Sequence, residues 1–427
     1  MRRADSDIDG VLYSARYEAI PLEDFFDWSP LFDYTSHHTL LPNLEGMYYQ
    51  EADPNVGKNW FRVLFSPSVR SFRVLNSTTE FLFDALTLLV TTSPTITDLT
   101  LSPIDSSLPV GYQQDTLVQH ICAFQNLRVL DLNSLAYHPQ MLSMLGMLPR
   151  LRRLVIDIGS EVETAIPEQS NDSFPSLREL YLRHVPPSRK MFGIWPLKPL
   201  LKNLRHVSWS IYAMSTSDSG LDKYWANPHL LLISKNAPHL STLSVTTESW
   251  AYQLRPALLS TKVQRAMRHL PLKILSLDNI YFGGTGCALL SSAWLGIEVL
   301  RCGMQQCELV DLALFAQNLP YLKELELDVD MSGSMIPDDI VPSPRHTTFH
   351  RLARNVPMLY GRSPEQTVKL ARYLYALWPD VLCVFARVTQ NDGLPVPRGI
   401  SFYDEAGAHE QLEQLNACIA QVRAGAV

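Results

Sequence analysis

The chain has 427 residues, of which 46% are hydrophobic and 19% are charged, and its formal net charge at pH 7 is −7. Such a composition is typical of a folded protein, and the length allows two or three ordinary domains or one long array of repeats. The net negative charge argues against a nucleic-acid-binding protein, because phosphate backbones attract basic surfaces.

Cysteine usage and hydropathy narrow the class of protein further. The six cysteines are scattered and form no C-x-x-C pair, so neither a zinc site nor a disulfide-rich secreted scaffold is expected. The N-terminus turns acidic without an apolar core, and no apolar run reaches the roughly 18 residues that span a bilayer. We therefore expect an intracellular protein, cytoplasmic or nuclear, with reduced thiols, no cofactor and no membrane contact.

Residues 1–40 precede a repeated pattern and are expected to form an N-terminal cap. Over residues 41–328 a phrase of the form Pro-x-Leu-x-x-Leu-x-Leu recurs at spacings of 24–36 residues, which indicates leucine-rich repeats. Eleven copies align by their first apolar residue, namely Leu44, Val69, Ile96, Leu127, Leu151, Leu177, Leu204, Leu240, Leu272, Ile297 and Leu322.

The second half of each copy predicts a strand. Its residues alternate polar and apolar, which is the period of a strand with one buried face. A proline lies two residues before the first apolar position in seven of the eleven copies. Because proline cannot continue a helix and holds its predecessor extended, it marks the point where a helix ends and the next strand begins. Side by side, such strands form a parallel sheet.

Helical spacing of apolar residues between the strands predicts helices on the other side of the sheet. Clear stripes lie within 81–89, 117–122, 141–145 and 309–315. The predicted fold is therefore α/β: a leucine-rich-repeat solenoid, horseshoe or arc, with the parallel sheet on its concave face and the helices on its convex face. Long spacings place irregular segments between several copies, and the longest is 329–345.

Two local clusters invite a chemical interpretation. Gly283-Gly284-x-Gly286 is either a phosphate cradle or a turn, and the tolerance of glycine for positive φ favours the turn. Cys302 and Cys307 are candidates for a redox pair, but Cys302 occupies an inward apolar position, which favours core packing. The sequence contains none of the common nucleotide-binding or hydrolase motifs.

Residues 329–427 are predicted to hold a loop, helices and a C-terminal cap. Two helical pieces are expected within 346–378, and the second begins at Ser363, a good N-cap residue followed by proline. Val381 opens a possible twelfth copy of the repeat. An amphipathic helix over 410–422 is expected to cover the end of the array.

The copies from Pro42 to Leu327, with the segment Leu377-Trp378-Pro379 that follows them, resemble the irregular leucine-rich-repeat half of fungal F-box proteins. The resemblance implies that the repeats hold a substrate protein and that an N-terminal F-box docks on a Skp-type adaptor of a cullin ubiquitin ligase. Only 43 residues precede the first copy, and no F-box is recognisable among them. A Skp-type adaptor is therefore expected as a partner only if an F-box exists.

The outward-pointing strand positions on the concave face are the candidate partner-binding surface. Basic side chains in the middle copies and acidic ones near the copy at Leu322 would steer a complementary protein. The candidate residues are Asp131, Arg153, Asp157, Glu179, Tyr181, Arg183, His206, Arg301, Glu324, Glu326 and Asp328. No catalytic, cofactor-binding or metal-binding residue is expected.

These observations predict a non-enzymatic protein-interaction scaffold that binds an unidentified protein. Two alternatives stay open. One is a hydrolase-type enzyme built on His and Asp residues in the long loops, which would require titratable groups that converge in a pocket. The other is a degenerate family member that has kept no binding role.

Overall fold

A computed structural model shows an α/β chain with one large parallel sheet. The predicted N-terminal cap, residues 1–40, lies outside the described residues. None of the helices that the model describes is long and apolar enough to cross a membrane. The described residues are 41–50, 61–62, 64–103, 114–132, 139–158, 170–185, 194–211, 223–247, 256–330, 335–337, 349, 351–354, 363–385 and 405–426.

Thirteen of the described strands form the sheet, and their order in the sheet follows their order in the chain. A separate two-stranded parallel ladder joins β9 (Ala257–Leu258) to β11 (Ile280–Tyr281). The strands of the large sheet are β1 (Gly46–Gln50), β2 (Ser71–Ser77), β3 (Asp98–Pro103), β4 (Val129–Asp131), β5 (Arg153–Asp157), β6 (Glu179–Val185), β7 (His206–Ile211), β8 (Thr242–Thr247), β10 (Ile274–Leu277), β12 (Val299–Glu308), β13 (Glu324–Asp330), β14 (Arg351–Arg354) and β15 (Leu382–Phe385).

Helices follow most of these strands, and each packs against helices of neighbouring coils. The predicted apolar stripes within 81–89, 117–122, 141–145 and 309–315 all lie in helices, so those predictions are confirmed. The described helices are α1 (Thr79–Thr92), α2 (Gln114–Ala123), α3 (Pro139–Leu145), α4 (Lys198–Leu201), α5 (Asn227–Asn236), α6 (Thr261–Met267), α7 (Gly286–Ala293), α8 (Leu309–Asn318), α9 (Pro364–Leu377) and α10 (Glu405–Arg423).

One column of buried apolar side chains runs across the sheet in register. Its members are at most 3% exposed and belong to a single core that also includes the inner faces of the helices. The predicted alternation is confirmed in strands such as β7 and β10, which bury every second residue, whereas β5 buries Leu154, Val155 and Ile156 in succession. The column consists of Phe72, Leu99, Leu130, Leu154, Leu180, Val207, Leu243, Leu275, Leu300, Leu325, Leu352 and Cys383.

A doubled hydrogen bond joins each coil to the next at the start of its strand. The carbonyl oxygen of the residue just before one strand accepts two consecutive backbone N–H groups from the following coil, as Arg128 O does from the amides of Arg152 and Arg153 at 2.8 and 2.9 Å. The same arrangement repeats without interruption from Glu45 to Lys323. The stacking of coils is therefore set by the backbone, whatever side chain occupies the position.

The first of the two helical pieces predicted within 346–378 is wrong where the structure describes it. The segment Arg351–Arg354 is strand β14, which pairs with both β13 and β15. Its coil begins at Phe349, which is fully buried and stacks on Trp378 with ring centroids 4.2 Å apart. The copy was missed because it departs from the phrase: Thr347 stands where the phrase has proline, and Arg354 stands where it has its last apolar residue.

Three other C-terminal elements, the helix start at Ser363, the strand after Val381 and the last helix, are present as predicted. Ser363 caps α9 in a capping box with Gln366, as the sequence predicts for a helix start. Val381 precedes strand β15, so the possible twelfth copy is present, and with the copy at Phe349 the sheet continues well past residue 328. The last helix, α10, extends a few residues beyond the predicted 410–422 at its N-terminal end.

Helix α10 packs against α9 and closes the open edge of β15. The Asn416 side chain accepts a hydrogen bond from the Cys383 amide at 2.9 Å and donates one to the Cys383 carbonyl at 2.8 Å. A side-chain amide thus takes the place of the next strand. An unpaired sheet edge is otherwise a template for association with another chain.

Replacing Asn416 with Ala should destabilise the C-terminal end by about 1–3 kcal/mol, because both polar groups of a half-buried peptide lose their partner. Denaturant unfolding would measure the change, and light scattering would detect self-association through the exposed edge. Gln414→Ala, at an exposed position of the same helix, is the matched control. Equal stability of the two variants would contradict a role for Asn416 in closing the edge.

A buried histidine makes the fold sensitive to acid. The indole N–H of Trp195 donates to Nδ1 of His229 at 2.8 Å, so His229 must be neutral with its own proton on Nε2. Burial lowers the pKa of His229 from 6.5 to about 4. The unfolded chain therefore binds a proton between pH 6.5 and 4 that the folded chain does not, and stability falls as the pH falls through this window.

The His229→Gln variant should lose this part of the pH dependence, because its side-chain carbonyl can still accept from Trp195 but does not titrate. A shift from 6.5 to about 4 corresponds to about 3 kcal/mol of unfolding free energy between pH 7 and pH 4. Urea unfolding of both proteins across this range would measure the difference. An unchanged slope of stability against pH in His229→Gln would overturn the assignment.

Candidate functional site

The open face of the sheet, defined as the side turned away from the core and helices, carries the eleven residues predicted for partner binding. In β6 the burial alternates residue by residue over Glu179, Leu180, Tyr181 and Leu182, as the sequence predicts. None of the eleven is buried: Arg183 is exposed and the other ten are half-buried. These side chains are therefore at least partly accessible to solvent on the open face.

Four of these residues form one contact cluster on three adjacent strands. Arg153, Glu179 and His206 are register neighbours on β5, β6 and β7. The guanidinium carbon of Arg153 lies 4.3 Å from the centre of the Tyr181 ring, in cation–π geometry, and Arg153 Nε lies 3.8 Å from Glu179 Oε2. The Tyr181 and His206 rings are stacked at a tilt of 30°, with centroids 4.7 Å apart. We call Arg153, Glu179, Tyr181 and His206 the aromatic cluster.

The histidine of the aromatic cluster is uncharged at neutral pH. Burial, and then the positive charge of Arg153, lower the pKa of His206 from 6.5 to about 4. Its Nε2 atom is buried and has no hydrogen-bond partner among the described residues. His206 thus contributes an aromatic surface and one unsatisfied ring nitrogen, rather than a positive charge.

Two more polar side chains of β6 contact acids on other strands of the sheet. Arg183 forms an ion pair with Asp131 at 3.1 Å, and the ring Nδ1 of His184 lies 2.6 Å from Asp157 Oδ2. His184 was not singled out by sequence analysis. Its backbone has a φ of +51°, which is strained for a residue with a Cβ, and its amide donates to the hydroxyl of Ser210 at 3.2 Å.

The acidic end of the predicted surface lies on β12 and β13. Arg301 donates to Glu324 at 2.9 Å across these strands, while Glu326 and Asp328 follow on β13. Between this end and the aromatic cluster, three serines occupy the same register row as Tyr181 and Arg301, namely Ser208, Ser244 and Ser276. The open face thus has two charged regions separated by a short hydroxyl-lined stretch.

A column of arginines borders the open face, and sequence analysis missed it. We call Arg128, Arg152, Arg178 and Arg205 the arginine column. They occupy the position just before the strand in four consecutive coils, where each carbonyl takes part in the doubled hydrogen bond. Because parallel strands lie about 4.8 Å apart, the four side chains leave the backbone at that spacing.

The arginine column lacks acidic partners in the described part of the chain. No ion pair joins any of its four members to a described carboxylate, and Arg128, Arg152 and Arg205 are exposed. Arg178 is half-buried and donates to the carbonyl of Leu177 at 2.9 Å. Like charges placed side by side in a sheet are destabilising, so this arrangement does not serve the stability of the fold.

The same position three coils further on shows the opposite arrangement. There Glu298 stands between Lys273 and Lys323, and its carboxylate pairs with both ammonium groups at 3.4 and 2.6 Å. These lysines hold the pKa of Glu298 below its usual value. Alternating charges are therefore compatible with this position of the repeat, and their absence from the arginine column is a property of those four coils.

A signal for the arginine column is present in the sequence. Each of its four members directly follows the first apolar residue of its copy, so the dipeptide Leu-Arg begins four successive copies. This position lies just before the strand, whereas the candidate surface was defined from outward positions inside the strands.

The glycine-rich segment is a turn, as predicted. Gly283 has a φ of +82°, which favours glycine, and the Gln305 side chain lies so close to Gly286 that an added Cβ would be 2.3 Å from its oxygen. Gln305 Oε1 accepts from the amide of Phe282 at 2.9 Å. The loop is thus filled by a glutamine side chain of this chain.

Three residues that could hold a metal ion converge on the helix side of the sheet. The sulfur atoms of Cys287 and Cys307 and a carboxylate oxygen of Asp311 all lie within 4.8 Å of one another. Cys302, the partner considered for Cys307 from sequence, is fully buried at an inward strand position and is not part of this group.

Comparison with known proteins assigns no family. No protein-family model matches the chain, and no curated protein matches it.

Removing the positive charge of Arg153 should raise the pKa of His206. In Arg153→Gln the pKa should move from about 4 towards 6.5 but stay below it, because the larger cause, burial, remains. NMR titration of the histidine ring protons would measure the shift. Arg183→Gln, which removes a cation paired with Asp131, is the control and should leave His206 unchanged. An unaltered titration in Arg153→Gln would contradict the coupling.

Proposed function

We propose that the chain is a leucine-rich-repeat solenoid that acts as a non-enzymatic scaffold and binds another protein along the open face and its border. The succession of strand and helix in coils of 24–36 residues supports the repeat assignment. The observation that carries the proposal is the arginine column, because four adjacent cations without acidic partners among the described residues are explained by a ligand that supplies the acids.

The proposed partner is a protein with an acidic segment. Arginine binds carboxylates through two parallel hydrogen bonds, so a row of guanidinium groups suits a row of Asp or Glu side chains. The aromatic cluster lies on the same coils, since Arg153, Glu179 and His206 each directly follow a member of the column. Tyr181 and His206 would provide the apolar contact, and the column would provide charge steering and register.

The resemblance to fungal F-box proteins suggests a biological setting for this binding. We propose that the bound protein is a substrate presented to a cullin-type ubiquitin ligase, as the repeats of that family present theirs. A Skp-type adaptor enters the proposal only with an F-box. The open-face residues Arg301, Glu324, Glu326 and Asp328 would then contact the part of the substrate beyond the acidic segment.

A hydrolase-type activity is the second candidate, and the close pair of His184 and Asp157 favours considering it. An Asp that orients a His is part of many hydrolytic sites. However, the neighbouring Ser210 hydroxyl accepts from the backbone amide of His184. A nucleophile hydrogen-bonded to the His184 ring would be needed for acyl transfer. The scaffold is preferred because the pair joins two adjacent coils, and that contact explains its geometry.

The double variant Arg152→Glu/Arg205→Glu should lose the partner captured by the wild-type chain from its native cell. Two reversed charges replace attraction to the acidic segment with repulsion, and binding should weaken by more than 10-fold, or about 1.4 kcal/mol. Affinity purification with mass spectrometry would identify the partner, and titration at several salt concentrations would measure the loss and its electrostatic origin.

Lys262→Glu/Arg372→Glu is the matched control, because both residues are exposed on helices away from the open face and the change in net charge is the same. Capture of the same partners by wild type and the column variant would refute the proposed surface. Recovery of a Skp-type adaptor and a cullin with the partner would support the ligase setting, whereas a partner without them would leave the scaffold alone. If the wild-type chain captures no protein at all, the chain has kept no binding role.

A further inference from the structure

The sulfur atoms of Cys287 and Cys307 lie within 4.8 Å of each other on two different coils. The Cys287 sulfur also contacts the backbone carbonyl of Gln306, which lies 19 residues further along the chain. Cys287 is the second residue of α7, Cys307 lies near the end of β12, and Asp311 lies in the first turn of α8. Both cysteines are almost completely buried, and Asp311 is half-buried. Three donor atoms from two successive coils therefore converge within 4.8 Å at one point of the molecule.

An irregularity of the sheet produces this convergence. The register between β12 and β13 shifts between Cys302 and Gln306, so Cys307 faces α7 after the bulge. Gln305, inside the bulge, binds the loop that leads into α7 through the amide of Phe282 and the carbonyl of Gly283. Because a Cβ at Gly286 would collide with Gln305, the glycine lets the start of α7 approach β12 closely.

A second set of contacts holds the other ligand elements. Asp311 accepts from the amide of Glu308 at 3.1 Å in the capping box of α8, which orients its carboxylate at the helix start. The hydroxyl of Tyr373 donates to the carbonyl of Leu309 at 2.6 Å and ties α9 to the same turn. The donor atoms are thus held by neighbouring hydrogen bonds, as the ligands of a metal centre usually are.

We propose that Cys287, Cys307 and Asp311 bind one thiophilic divalent cation, with zinc as the physiological ion and a water molecule as the fourth ligand. Two sulfur donors and one carboxylate suit zinc, which accepts Cys and Asp ligands in tetrahedral geometry. The hard cations Mg²⁺ and Ca²⁺ prefer all-oxygen sites, so the two sulfurs select against them. The centre would fasten α7 to the start of α8 on the helix side, away from the partner-binding surface.

Binding must release two protons. A cysteine binds a metal ion as its thiolate. Without an ion, the sulfurs of Cys287 and Cys307 donate to the carbonyls of Gln306 and Glu308 at 3.2 and 3.4 Å. On binding, each S–H bond breaks, a sulfur–metal bond forms, and the proton leaves to solvent. Affinity should therefore increase with pH.

The test uses the full chain, reduced and stripped of metal by a chelator, and titrates it with Co²⁺ as a spectroscopic substitute for zinc. We expect saturation at one equivalent, with a thiolate-to-cobalt charge-transfer band and the visible bands of tetrahedral Co²⁺. Added Zn²⁺ should displace the cobalt and erase both sets of bands. A wild-type protein that shows no thiolate band on titration overturns the proposal without the need for any variant.

Variants then assign the ligands. Cys287→Ser and Cys307→Ser should each lose the charge-transfer band, and Asp311→Asn should keep it while binding more weakly. Cys302→Ser is the control, since this buried thiol lies on the same strand but outside the group, and its titration should match wild type. Retention of the full band in Cys287→Ser/Cys307→Ser would place the cobalt elsewhere and overturn the assignment. Circular dichroism and cobalt-free melting curves would show that each variant is folded.

Discussion

The doubled backbone hydrogen bond at the start of each strand is the constraint on which the other features depend. Because one carbonyl oxygen accepts hydrogen bonds from two consecutive amides of the next coil, the strands of adjacent coils begin in register with one another. The buried column from Phe72 to Cys383 follows from this alignment. So does the position of every outward side chain, since strand register decides which residues of different coils become neighbours. The loops between strand and helix can vary in length without disturbing it.

The repeat phrase predicts most of this architecture because each backbone conformation in the coil favours particular side chains. Apolar residues at fixed positions and a proline before the strand are enough to locate strands, helices and their order. The coil at Phe349 was missed because Thr347 and Arg354 replace the proline and the last apolar residue of the phrase. Contacts across the bulge of β12 were also unpredictable, since a register shift changes which residues meet while leaving the local pattern unaltered.

The candidate surface was predictable in position but less so in electrostatic character. Residue types suggested a basic middle, yet Arg153 pairs with an acid of the next coil, Arg183 with an acid two coils away, and burial keeps His206 neutral. Pairing of this kind depends on rotamers and on distances between coils, which a sequence does not specify. The arginine column could have been found, because a position that recurs in the phrase becomes a physical row once the coils stack.

The closure of β15 by Asn416 has a consequence for how such a chain can lengthen. Arrays of this kind grow when a segment encoding one coil is duplicated, and each new coil must offer a free strand edge to the next. Here the last edge is occupied by a single amide side chain on α10, whose two hydrogen bonds fit the peptide group of Cys383. Duplication after β15 would have to dislodge that helix, whereas duplication between internal coils would leave it in place. Lengthening of the array is thus easier between internal coils than after β15.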